Sequence, residues 1–104
     1  MLEIVKIENP GSITLKTKGR IDTDNAANLA SALQDSVSKT TNEIIILDCE
    51  NLQYMSSAGL RLLLQTRKQV GEDRLKLVNV TDIVYEILNV TGFNSFLNVE
   101  RVGA

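Results

Sequence analysis

The run Leu47-Asp48-Cys49-Glu50-Asn51-Leu52-Gln53-Tyr54-Met55-Ser56-Ser57-Ala58-Gly59-Leu60 holds the residues with the most scope for chemistry. Two adjacent serines stand where an apolar strand has ended and an amphipathic helix begins. A helix start leaves backbone N–H groups unpaired and carries a partial positive charge, so a phosphate attached there is stabilised by both. In open α/β sheets, ligands also gather beyond the carboxyl ends of parallel strands. A plainer role fits the same residues. Serine ahead of an apolar helical stripe is most often an N-cap, and the residues taken alone favour that role for Ser56 or Ser57. Gly59 falls in the first helical turn, although glycine costs about 1 kcal/mol against alanine inside a helix. Its small size would let the backbone of a partner or a neighbouring element come close.

Other chemistries are set aside by what the chain lacks. It has no histidine, the commonest general base at neutral pH, and no tryptophan. With a single cysteine, Cys49, and no histidine, a zinc site is not expected. A glycine-rich phosphate loop is also missing, so neither an enzyme nor a nucleotide-binding protein is expected, and no cofactor. Cys49 cannot form an internal disulfide, which suits a reducing compartment; it reads as a small, partly buried packing residue.

The elements that must position the serines follow from periodicity. Residues 2–7 and 12–18 alternate as strands do, around the turn signal Asn9-Pro10-Gly11, and predict a β-hairpin. Gly19-Arg20-Ile21-Asp22 breaks the pattern. Ala26, Leu29, Ala30, Leu33 and Val37 then make an apolar stripe that predicts a helix over 24–38, capped by Asp22 or Thr23. Thr40-Thr41-Asn42 reads as a loop. Ile44-Ile45-Ile46-Leu47 predicts a central strand covered on both faces and ending at Asp48, with residues 49–56 as a loop. A second helix runs from Ser57 with Leu60, Leu63, Leu64 and Val70 on one face, and Gly71 ends it from the left-handed conformation. Arg61, Arg67 and Lys68 give it a basic side that reads as a solvated face. Leu75, Leu77 and Val78 suggest a fourth strand. Thr81 or Asp82 opens a third helix that Gly92 can close, and residues 97–102 form a short last strand or an extended tail. The order is β-β-α-β-α-β-α-β. It predicts an α/β fold: a mixed sheet of four to five strands, mostly parallel with one antiparallel edge hairpin, covered by three to four helices.

The 104 residues, 43% hydrophobic and 23% charged, suit a single globular domain over 1–104. A net charge of -2 disfavours a nucleic-acid binder. The first residues lack the basic-then-apolar order of a signal peptide, and no apolar run approaches the ~20 residues of a membrane span. A soluble, cytoplasmic, monomeric protein is expected.

Asp48 followed by Tyr54-Met55-Ser56-Ser57-Ala58-Gly59-Leu60-Arg61 resembles the signature of STAS domains, a strand-ending Asp and then a hydrophobic-[Asp/Ser]-Ser-[Ser/Thr/Ala]-Gly-Leu segment. Gly19-Arg20-Ile21-Asp22 resembles the family's Gly-x-[Leu/Ile]-Asp motif, and Val90-Thr91-Gly92-Phe93 with Phe96 resembles the end of its third helix. Three motifs in order and spacing carry the resemblance over nearly the whole chain. In the anti-sigma factor antagonist branch, the resemblance implies that Ser57 accepts a phosphate from a partner that is both anti-sigma factor and serine kinase. Asp22 and Asp48 match family acids near that loop. Ser56 stands where such antagonists often have Asp, and is a second candidate acceptor; Ala58 stands where Ser or Thr is frequent. The partner-facing set implied is Asp22, Asp24, Asn51, Met55, Ser56, Ser57, Ala58, Gly59 and Arg61, with Met55 and Tyr54 also readable as core. Ala26 and Ala27 would keep the first helix slim beside the acceptor loop. The resemblance implies no enzyme activity in the domain itself, and a reversible switch requires a serine phosphatase as a second partner. Some stand-alone STAS domains instead dock on a transporter ATPase without phosphorylation, which is the alternative.

Overall fold

A computed structural model describes residues 1–40 and 42–103. Thr41, in the expected 40–42 loop, lies outside the described residues. The chain forms β1 (Leu2–Asn9), β2 (Ser12–Ile21), α1 (Ala26–Lys39), β3 (Ile44–Met55), α2 (Ser57–Val70), β4 (Leu75–Val80), α3 (Asp82–Thr91), a 3-10 turn (Phe93–Ser95) and β5 (Asn98–Arg101). The five strands lie in the order β1-β2-β3-β4-β5. β1 and β2 pair antiparallel and the remaining neighbours pair parallel, as the element order predicts.

Parallel crossovers are right-handed almost without exception. Three of them stepping the same way along the sheet place all three helices on one face. The burial pattern agrees: Ile13, Leu15, Thr17, Ile45, Leu47, Cys49, Leu75 and Leu77 are buried, while Lys16, Lys18 and Ile44 are exposed and Thr14 and Ile46 half-buried. Ile44–Leu47 is therefore covered on one face and not on both, although its unbroken β-branched run predicts burial on both. The inward strand residues join Leu29 and Leu33 of α1, Leu60 and Leu63 of α2, and Val84 and Leu88 of α3 in one core. Each such leucine stabilises the fold by about 1.5–3 kcal/mol through burial. Among the described residues no helix is long and apolar enough to cross a membrane.

Two departures from the sequence expectations shape the site. β2 runs on through Ile21 instead of breaking at Gly19, and β3 runs on to Met55, so residues 49–55 are strand and not loop. The two extensions pair with each other across register shifts at Lys16/Lys18 and Gly19/Arg20. Thr17, passed over by the first shift, donates its hydroxyl to the Asp48 carbonyl at 2.9 Å. Gly19 has φ 104°, and a side chain there would collide with the Met1 carbonyl, which accepts from the Arg20 N–H at 3.1 Å. Only glycine fits that corner.

α1 begins at Ala26, two residues later than expected, after Asn25. Neither Asp22 nor Thr23 caps it. Asn25 and Asp22 instead exchange hydrogen bonds, each backbone N–H donating to the other's side chain at 2.9 Å, and the Asn25 amide donates to the Arg20 carbonyl. At the other helix ends, Gly92 takes the expected left-handed conformation, whereas Gly71 has φ 99° and ψ 160°, outside it.

Candidate functional site

The end of the β2–β3 ribbon delivers the chain into α2. Ser56 is the N-cap, with extended φ and ψ, and its Oγ accepts from the Gly59 N–H at 3.3 Å. Its N–H donates to the Ile21 carbonyl at 2.8 Å, tying the start of α2 to the end of β2, and the residue is 7% exposed. Ser57, the first residue of the helix, is exposed. Among the described residues its hydroxyl makes no hydrogen bond. The neighbouring serines are thus divided between the two roles that either could fill: Ser56 is the cap, and Ser57 presents a free hydroxyl at the positive end of a helix of 14 residues.

Gly59 is explained by what lies beneath it. A Cβ there would stand 2.7 Å from Ile21 Cγ2 and 3.0 Å from Met55 Cγ. The close approach is to these two core side chains, not to a partner. Met55 is 1% exposed, so it is the floor of the site and offers no surface to dock on. Gly59 is likewise buried. Both fall out of the partner-facing set for the same reason: the ribbon end packs its apolar side against α2.

Asp22 is half-buried beside Ile21 and so lies next to the start of α2; Asp24 is exposed in the same loop. Ala58 is half-buried and Arg61 exposed. Asn51 is exposed but lies four residues before Met55 in β3, about 13 Å away at ~3.3 Å per residue. It pairs with Lys18. Asp48 is farther still. Its Oδ1 accepts from the Glu50 N–H at 3.1 Å and from Asn79 Nδ2 at 3.2 Å, where it fixes the point at which β3 parts from β4. Asn51 and Asp48 are therefore not brought to Ser57.

Sequence reasoning missed two features. One is a shallow groove of about 270 Å³ between α1 and α2, lined by Ala26, Ala27 and Ala30 on one side and Ala58, Arg61, Leu62 and Gln65 on the other. The alanines at 26 and 30, one turn apart, were its available signal. The other is Tyr54, half-buried under the Arg20 guanidinium, which lies 4.5 Å from the ring centroid. Cys49 is fully buried, and burial pushes its thiol up to about 12 from the usual 9.0, helped by the Asp48 charge. It packs in the core, where its thiol donates a weak bond to the Leu47 carbonyl at 3.7 Å.

Comparison with known proteins fits this geometry. The family model for the STAS domain matches residues 3–102. The chain belongs to the STAS domain family. BtrV of Bordetella bronchiseptica, which carries the name of an anti-sigma factor antagonist, is 32% identical over 91 residues, covering 86% of this chain and 78% of that protein. Among solved structures, an anti-sigma factor antagonist from Mycobacterium paratuberculosis superposes with a TM-score of 0.86 at 18% identity, over 96% of this STAS domain and 86% of that chain. The Bacillus cell fate determinant SpoIIAA, in its phosphorylated form, gives 0.66 at 16% identity, over 95% and 90%. At these identities the two structures establish the shared fold.

Proposed function

We propose that this STAS domain, acting as one unit over residues 1–104, is an anti-sigma factor antagonist switched at Ser57. Unphosphorylated, it docks on an anti-sigma factor that is also a serine kinase and so releases a sigma factor. Phosphorylated, it lets go. The observation that carries the reading is the contrast between the two serines: Ser56 is buried and bonded as a cap, while Ser57 is exposed with its hydroxyl free among the described residues. The relationship to BtrV supports it, and so does the existence of a protein of this fold in phosphorylated form.

In the transfer step, Ser57 Oγ attacks the γ-phosphorus of ATP held by the kinase. The new O–P bond forms as the bond to ADP breaks, and the hydroxyl proton passes to a base of the kinase. The STAS domain supplies the hydroxyl and a docking surface and has no enzyme activity of its own; a serine phosphatase reverses the step. Phosphoserine brings about -1.5 to -2 charges at neutral pH. The start of α2 accommodates them without refolding, so the penalty falls on the complex. A buried, unpaired charge at an interface costs several kcal/mol, whereas about 1.4 kcal/mol is tenfold in affinity. Asp22 and Asp24, already acidic beside the site, add to the repulsion. Such a switch operates in the cytoplasm.

Binding to an anti-sigma factor kinase of the same genome, measured by calorimetry, tests the reading. Ser57→Ala is expected to bind as the unphosphorylated wild type does, and Ser57→Glu at least tenfold more weakly. Equal binding by Ser57→Glu and wild type contradicts it.

A further inference from the structure

We propose that Arg61 is the built-in counter-ion for a phosphate on Ser57, an inference that rests on the reading of Ser57 above. Ser57 and Arg61 are both exposed and stand four residues apart in the first turns of α2. Residues at that spacing are neighbours on a helix surface, with Cβ atoms about 5–6 Å apart. Helical side chains also lean towards the N-terminus. From that position the long Arg61 side chain has the reach to meet a phosphate on Ser57.

Arg61 is also uncommitted. Of the five arginines in the chain, Arg20 stacks on Tyr54, Arg67 pairs with Glu72 at 3.2 Å, Arg101 pairs with Asp82 at 2.6 Å, and Arg74 donates to the Glu43 and Val70 carbonyls. Arg61 alone has no hydrogen bond, ion pair or ring contact among the described residues. Its planar fork of donors matches phosphate oxygens better than a lysine would. The segment that ends β2 carries Asp22 and Asp24, which repel a phosphate, and Arg20, held over its ring. Arg61 offsets those acids once Ser57 is modified. Because Arg61 also lines the α1–α2 groove, pairing with the phosphate withdraws a cation from that groove. Modification then changes the docking surface twice, by adding negative charge and by removing positive charge.

The test installs phosphoserine at position 57 during translation, so no kinase is needed, and follows the phosphate by phosphorus NMR titration. Its second pKa, ordinarily near 6, is expected to rise by about 0.3–0.5 unit in Arg61→Gln, an exposed pair being modest in strength. Arg61→Lys should recover part of the shift, and Lys68→Gln, at the far end of α2, should titrate as wild type. In the wild-type protein the Arg61 Nε–H resonance should move as the phosphate titrates. Superimposable titrations of wild type and Arg61→Gln, or an Arg61 resonance that stays put, overturn the pairing. Those results leave the switch standing, whereas a kinase that never modifies Ser57 sinks the switch and leaves the pairing intact.

Discussion

From Ile45 to Asp48, β3 is paired with β2 on one side and β4 on the other; from Asn51 to Met55 it keeps β2 alone, through shifted register. The first stretch buries every second side chain in the common core. The second has lost β4, and since β1 ends opposite Gly19 it narrows to a two-stranded tip at Ile21 and Met55, pinned by Leu52, Ile21 and Met55 and by the Ser56–Ile21 backbone bond, with Ser57 just beyond it. The comparison teaches that the fold separates stability from display. The regular half holds the domain together, and the irregular half carries the hydroxyl outward without carrying much of the sheet's hydrogen bonding.

Substitutions at graded positions can break or sharpen that contrast. Leu47→Ala, in the regular half and fully buried, is expected to cost about 2–5 kcal/mol in urea denaturation. Gly59→Ala, at the ribbon's tip, should cost about 1–3 kcal/mol, because its Cβ would press on Ile21 and Met55. Helix propensity alone would make that change stabilising by about 1 kcal/mol, so a stabilised variant would mean the tip is loosely packed. Ser56→Ala should lose about 1 kcal/mol as a lost cap, and Ser57→Ala should stay within about 0.5 kcal/mol of wild type. Equal losses at the two serines would erase the distinction between them. The smallest effect at neutral pH concerns Cys49. Because burial raises its thiol pKa to about 12, the folded state favours the neutral form. That contribution is complete below the ordinary value of 9.0 and is lost as pH climbs from there towards 12. A thiol reagent at pH 8 should therefore leave Cys49 untouched until the protein unfolds; rapid labelling of the native protein would show that the core opens at β3.

The same division explains what could be read in the residues. The hairpin, three helices and parallel order follow from Pro10-Gly11 and from periodicities of two and 3.6 residues, which are local. The ribbon does not follow, because Asp48-Cys49-Glu50-Asn51 interrupts the alternation and the register shift that absorbs it depends on β2, more than 30 residues earlier. Asp48 looked like the end of a strand because the apolar run stops at Leu47; its carboxylate is tolerated mid-strand because it is engaged with Asn79, a contact between distant residues. At the site, a serine pair before an apolar stripe announced a helix start, but which serine caps depends on the Ile21 carbonyl that fixes Ser56. Met55 and Gly59 belonged to the motif without belonging to the surface, and only packing against Ile21 separates the two.

The most direct measurement is residue-level mass mapping after wild type, Ser56→Ala and Ser57→Ala are each incubated with ATP and the cognate anti-sigma factor kinase. The expected result is one phosphate on wild type and on Ser56→Ala, located at Ser57, and none on Ser57→Ala. A phosphate on Ser56, or no modification of the wild-type protein by a kinase that binds it, contradicts the account.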